Sequence, residues 1–391
     1  REEENGGAYY PILRQGAGLA NVGAAILAES YLLMGEDATR SYADGKVKVE
    51  LGDDPERTGA YQFSFSIHNL TDRALPYELS ADFFTQAVFT ENGTGYLDTQ
   101  TAALDAAVEF STGKTVTVPA GGETNIQVTV VLTDEQKAKL QADYPAGAYV
   151  EGFVYVKGEV TEEGMQGTEH SIPVLGFYGN WSDGSMFEVG SRLEYDTNSE
   201  VRLPYLGSTN TNLATITYAN DPGSRYLFGG NPVVTDTRYL PERTAINSEN
   251  GDQISQLTVS VIRNAAASRV QVENLTAGKS MMDTEAGAMD AAYYHTNSGT
   301  WRNTSANVSV DFAPRGASQG DQLALTLTLA PEYYVDREGN VNWEALGKGA
   351  SFTVPMVVDN TAPELLDVDG YTGGFNLQIA FSTAFAAGNH C

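Results

Sequence analysis

The groups in this sequence able to support catalysis or hold a metal are four histidines, one cysteine and one oxygen-rich turn. His68 stands at a strand end before Asn69, where a hydrogen bond to a turn is expected. His170 opens an apolar run and reads as a packed side chain. His295 lies in a Gly/Ser-rich loop beside Tyr293, Tyr294 and Trp301, and His390 adjoins the C-terminal residue. None is spaced as in His-x-x-x-His, and the lone thiol, Cys391, offers no ligand cluster or internal disulfide. Asn247, Ser248, Glu249, Asn250 and Asp252 bring several oxygens together, as a calcium loop does, but the twelve-residue pattern with its terminal glutamate is missing. Asn250-Gly251 reads instead as a type I′ turn before a strand. No catalytic, cofactor-binding or metal residue is therefore assigned, and no cofactor is expected.

The elements around these groups are mostly strands. KVKVEL (46–51), YQFSFSI (61–67) and TVTVPAGGETNIQVTVVL (115–132) alternate apolar and polar residues, as half-buried antiparallel strands do. Pro119 to Gly122 splits the last of these in two. Thr133 caps a short helix that runs to Tyr144, and GAYVEGFVYVKGEV (147–160) resumes the alternation. Further strands fall at 213–219, 256–262, 269–274, 307–312, 322–330 and 351–359. Towards the N-terminus, Val22, Ala25, Ile26, Leu32 and Leu33 recur at helix-like spacing, which predicts a helix over 21–34 with Gly35 as C-cap. The fold class expected is all-β: tandem immunoglobulin or fibronectin type III-like β-sandwiches with a short N-terminal helix.

Between them, His170 to Glu188 read HSIPVLGFYGNWSDGSMFE. Ile172, Val174, Leu175 and Phe177 form an apolar strand, with Pro173 marking an edge or a bulge. Leu175 and Phe177, two apart, are expected to face the sandwich core, and Trp181 to turn towards a following domain. The Asn-x-Ser/Thr sequons at Asn69 and Asn274 are read as chance.

The 391 residues exceed one small domain. With 41% hydrophobic and 19% charged residues, packed cores are expected and general disorder is not. A net charge of -28 excludes phosphate backbones as partners and disfavours anionic membranes. The acidic start REEENGG has no apolar core of a signal peptide, and no run is long enough to span a membrane. No Gly-rich phosphate loop or Arg-Gly-Asp tripeptide occurs.

The stretch from His170 to Glu188 resembles the end of the first fibronectin type III-like domain of subtilisin-like cell-envelope serine proteinases of Gram-positive bacteria, the lactocepin type. RQGAGLANVGAAI (Arg14 to Ile26) is similar to the end of the catalytic domain in that family. Pro241 to Ala265 is similar to a hairpin-rich stretch of its second accessory domain, and Val358 to Leu365 to the joint after it. The four occur in the family's order. The resemblance implies a piece of a larger secreted protein: 1–36 the tail of the catalytic domain, 37–182 the first fibronectin type III-like domain, 183–362 the second, and 363–391 the start of a third. It implies a parent endopeptidase acting on protein substrates, with the catalytic domain in cis, located outside the cell at the cell wall. The family's serine lies in a Gly-Thr-Ser motif upstream of the Gln-Gly-Ala-Gly turn, and Gly-Thr-Ser occurs nowhere here. The fragment is therefore expected to be a non-catalytic spacer that positions substrates. The alternative is a surface adhesion module binding a host glycan or protein, with the aromatic loop from Tyr293 to Trp301 as its site.

Overall fold

The computed structural model describes residues 9–16, 21–38, 45–92, 94–159, 167–188, 213–230 and 244–361. The chain divides into two compact units, Arg1–Asp183 and Gly184–Cys391. The expected third domain at 363–391, His390 and Cys391 lie outside the described residues, as do 17–20 and 241–243 of the family-like stretches.

Among the described residues, the first unit contains two short helices, α1 (Ile12–Gln15) and α2 (Val22–Ile26), then ten strands and α3 (Asp134–Asp143). The strands are β1 (Ser30–Met34), β2 (Val49–Asp54), β3 (Ala60–Asn69), β4 (Leu75–Glu91), β5 (Thr94–Ala103), β6 (Ala106–Phe110), β7 (Thr115–Val118), β8 (Glu123–Leu132), β9 (Ala148–Gly158) and β10 (Glu169–Tyr178). One sheet runs β1-β3-β8-β6. The other runs β2-β10-β9-β4-β5, with β7 added beside β4. Phe63, Phe65 and Ile67 of β3 and Ile126, Val128 and Val130 of β8 meet Leu79, Val154, Val156, Ile172 and Val174 of the facing sheet in one core. The period-two spacing produces this directly, since alternate residues share a face. Pro119 to Gly122 does more than close a hairpin: β7 on one side of it joins β4, and β8 on the other joins β3, so the break carries the chain from one sheet to the other. Thr133 caps α3 as expected, its Oγ1 accepting from Gln136 N at 3.2 Å.

The N-terminal helix is shorter than the sequence predicts. It ends at Ile26, and residues 30–34 form β1, paired antiparallel with β3 from Ser30↔Asn69 to Met34↔Phe65. Ser30 and Leu32 are buried while Tyr31 and Leu33 are exposed, a period of two that the Leu32-Leu33 pair disguised. The open edge of β3 supplies five residues' worth of backbone partners, which outweighs a modest helical preference. Gly35 caps no helix; its N–H donates to Ser64 O at 2.8 Å.

The parity of β10 also reverses. Ile172, Val174 and Tyr178 enter the core, while Leu175 and Phe177 point outward and are half-buried. Phe177 stands edge-on to Trp181 at 5.1 Å and to Tyr149 at 5.6 Å, so Trp181 closes an aromatic cluster on the outer face of this unit. β10 is an interior strand, between β2 and β9. The parallel ladder with β2 starts at Val174, one residue after Pro173, and is bulged between Leu175 and Gly176. The proline therefore sits just beyond the reach of that ladder.

The second unit follows the same plan. Its strands are β11 (Leu213–Thr217), β12 (Tyr226–Leu227), β13 (Ala245–Ile246), β14 (Gln253–Val259), β15 (Ala267–Asn274), β16 (Lys279–Ala286), β17 (Tyr293–His295), β18 (Thr300–Arg302), β19 (Ala306–Phe312), β20 (Gln322–Ala330) and β21 (Ser351–Val358). The sheets β12-β11-β14-β19 and β13-β21-β20-β15-β16 enclose Ile216, Leu257, Val272, Leu325, Leu327 and Val354. In each unit the last described strand pairs in parallel with a strand from the unit's first half, β10 with β2 and β21 with β13. β17 and β18 form a separate two-stranded hairpin.

Candidate functional site

All three described histidines are hydrogen-bonded. His68 does not reach a turn: its Nδ1 meets Glu123 Oε2 across the β3–β8 ladder at 3.1 Å, its Nε2 meets Ser66 Oγ at 2.8 Å, and its ring stacks on Tyr31 at 4.7 Å. His170 Nε2 lies 2.8 Å from Ser30 Oγ, and Tyr77 donates its hydroxyl to the same oxygen at 2.6 Å. The three side chains come from β10, β1 and β4, so the chain of bonds staples the edge strand of one sheet to the other sheet. Ser30 and His170 border an open cleft of about 850 Å³ between β1, α2 and residues 167–171.

A serine bonded to a histidine raises the question of nucleophilic catalysis. Burial holds the His170 imidazole below its ordinary pKa and raises the Tyr77 phenol, so both are neutral near pH 7. Ser30 is 1% exposed, and among the described residues no carboxylate is paired with His170. The bonds from His170 and Tyr77 to Ser30 tie the two sheets together.

His295 bonds Ser298 Oγ within its own loop. In the oxygen-rich turn, Asn247 Oδ1 accepts from Glu249 N and Asn250 N, and Asn250 Oδ1 accepts from Asp252 N. Asp252 Oδ1 accepts from Ala219 N. These oxygens fold the chain on itself as Asx turns do. Only Gly251 has a positive φ, 94°, so the turn is not type I′, which needs two. Asn69, of the first sequon, is buried; its amide nitrogen donates to Arg73 O, Val118 O and Pro119 O, which anchors the β3–β4 turn.

The most developed surface feature is one that the sequence reading missed. On the outward parity of β4 and β9, Phe84 (2% exposed), Phe153 (6%) and Glu151 (1%) are buried although none belongs to the core. They are covered by residues 9–15. Tyr9 stacks on Phe84 at 5.0 Å and packs on Phe153 at 5.6 Å. Its hydroxyl donates to Asp82 Oδ2 at 3.0 Å and bonds Tyr155 Oη at 2.6 Å, while Thr101 Oγ1 donates to Tyr9 O at 2.7 Å. Glu151 accepts from Ile12 N and so caps α1 from the sheet beneath. Burial holds this carboxyl above the usual carboxylate range, and the Ile12 bond offsets part of that shift. The register explains the convergence: Asp82↔Phe153 and Phe84↔Glu151 are direct cross-strand pairs on one face. A doublet such as Phe83-Phe84 in an alternating strand is the signal that both faces are covered.

The helical segments themselves remain open. Leu13, Val22, Ile26 and Leu27 are 61%, 69%, 78% and 79% exposed. The β4–β5 hairpin is apolar on both faces: Phe89 stacks on Tyr96 at 5.4 Å on one, and exposed Val88 and Leu97 pair on the other.

The model of the Fn3-like domain matches residues 49–175, which spans β2 to most of β10. Residues 49–175 form an Fn3-like domain. Around and beyond it, the chain is 26% identical to the PI-type proteinase of Lactococcus lactis subsp. cremoris over 91% of its own length and 17% of that protein. It is 30% identical to the PII-type proteinase of the same subspecies, covering 46% of this chain and 8% of the other. It is 29% identical to the PII-type proteinase of Lacticaseibacillus paracasei, covering 51% and 10%. The chain thus spans less than a fifth of the length of these relatives and is similar to a stretch of these proteinases. Among the described residues, no helix is long and apolar enough to cross a membrane.

Proposed function

We propose that this chain is the non-catalytic accessory region of a secreted, cell-wall-associated subtilisin-like serine endopeptidase, acting as a spacer and positioning protein substrates. Residues 1–36 are the tail of the catalytic domain, 37–182 and 183–362 the first and second fibronectin type III-like domains, and 363–391 the start of a third. The catalytic domain is the partner in cis, the protein substrates are those of the parent, and the wall is the site of attachment.

The observation that carries this reading is the docking of residues 9–15 on the Fn3-like domain through Tyr9 and Ile12. A flexible linker would leave an upstream domain free to reorient. A segment fixed by a stacked ring, three polar bonds and a cap gives that domain a set orientation. The exposed Leu13, Val22, Ile26 and Leu27 then provide an apolar face for the catalytic domain to cover, and the Phe89–Tyr96 tip provides a projecting contact for bulky protein substrates.

The test is a distance distribution, measured by spin labels placed on the catalytic domain and on β8 of the parent. A narrow distribution that broadens in Tyr9→Ala is the expected result. An equally broad distribution in both proteins would refute the positioning role.

A further inference from the structure

The β17–β18 hairpin carries exposed aromatic side chains that the accessory role does not use. Its outward side chains include Tyr293 and Tyr294, 55% and 52% exposed, with Trp301 half-buried opposite Tyr294 in the ladder. Tyr294 and Trp301 meet edge to face with centroids 5.7 Å apart. An isolated two-stranded hairpin is marginal in water, so such a surface needs support. Here the base is fastened: Ala292 N donates to Val261 O at 2.7 Å, Ala291 N to Asn264 Oδ1 at 2.8 Å, and Asn303 Nδ2 to Asp290 O at 2.7 Å. The tip is fastened as well, with Ser298 Oγ bonding both His295 Nδ1 at 2.9 Å and Thr300 Oγ1 at 2.8 Å.

We propose that this hairpin binds an uncharged polysaccharide. The Tyr294–Trp301 pair presents aromatic faces, whose negative quadrupole attracts the partly positive C–H face of a sugar ring. Exposed Thr296, Asn297 and Thr300 offer neutral donors and acceptors for its hydroxyls. The local charge selects the ligand. In a chain with 51 acidic residues, 291–310 contains no Asp or Glu, and Arg302 is its only formal charge with His neutral. A strongly cationic partner is drawn to the acidic surface elsewhere, and an anionic one is repelled by the whole protein's charge of -28. The ligand left with a favourable match is neutral and rich in hydroxyls. Fastening the hairpin in advance lowers the ordering cost of binding.

Calorimetric titration of the 391-residue chain with cellohexaose and with chitohexaose tests the proposal, with casein as the protein comparison. Saturable heat is expected with at least one oligosaccharide. Trp301→Ala and Tyr294→Ala should each weaken it roughly tenfold, as central aromatic contacts do. Trp301→Phe, which keeps a ring face, should retain most of the affinity, and Tyr333→Ala, at an exposed tyrosine elsewhere, should change nothing. Thermal melts of all variants establish that each is folded. No heat with either oligosaccharide, or casein binding that is lost in Trp301→Ala while oligosaccharide binding is not, would overturn it.

Discussion

Tyr9 lies nearly parallel to Phe84, ring centroids 5.0 Å apart and planes 16° apart, on the face of β4 that points away from the core. This contact makes residues 9–15 part of the Fn3-like domain's surface. Glu151, buried beneath the segment, completes the join through Ile12 N.

The hydroxyl and the ring of Tyr9 should be separable. Tyr9→Phe removes the bonds to Asp82 and Tyr155 and should cost about 2–4 kcal/mol of docking, the usual net worth of two hydrogen bonds of which one goes to a carboxylate. Tyr9→Ala also removes the stack and should release the segment. Hydrogen exchange at the Ile12 amide reports this: slow in the wild type, faster in Tyr9→Phe, fastest in Tyr9→Ala. Equal rates in all three would contradict the docking.

The two faces of the first unit should respond differently to truncation. Phe65 is 1% exposed in the core, so Phe65→Ala should cost about 3–5 kcal/mol. Phe177 is half-buried against Trp181 and Tyr149, so Phe177→Ala should cost only about 1–2 kcal/mol from partial area and ring contacts. Urea unfolding monitored in this unit ranks the two, and a larger loss for Phe177→Ala would overturn the assignment of faces.

Gly147 adopts φ +106°, and a Cβ there would come within 2.4 Å of Phe177 Cε1. Gly147→Ala should therefore destabilise by about 1–3 kcal/mol, from backbone strain together with displacement of the ring. Pairing it with Phe177→Ala gives a check: the steric part should vanish in the double variant, leaving the strain. Strictly additive losses would show that the ring is not what the new methyl meets.

Burial lowers the pKa of His170 below the ordinary imidazole value of 6.5. The unfolded chain then binds the proton more readily, so stability is complete above about pH 6.5 and declines as pH falls from there towards the folded pKa. Glu29 and Glu169 flank the site, and Tyr77 and Ser30 face the ring. His170→Gln keeps a hydrogen-bonding side chain without the titration. Its stability should fall less than the wild type's between pH 7.5 and pH 5 in urea titrations; an unchanged difference would contradict the assignment.

The β-sandwich class was legible because alternation in 61–67, 115–132 and 322–330 leaves little else for those residues to form. Thr133 and the Pro119 to Gly122 break were legible because capping and turn chemistry are local. The errors arose where both sides of an element are covered. In β10, Leu175 and Phe177 share one apolar run with the true core positions, Ile172 and Val174, and Trp181 and Tyr149 shield Phe177 on the outer face. In β1, Leu32 and Leu33 fit either period, and only the free edge of β3, a long-range fact, decides between them. Tyr9 gave no periodic signal, since its partners lie 73 and 146 residues away in sequence.

The positioning role is tested most directly in the parent protein, by hydrolysis of casein and of a short chromogenic peptide with and without Tyr9→Ala. The account predicts that kcat/KM for casein falls by about fivefold, at the low end of coupling between distant sites, while the peptide is cleaved at the wild-type rate. Equal activity of the two proteins on casein, or an equal loss on both substrates, would contradict it.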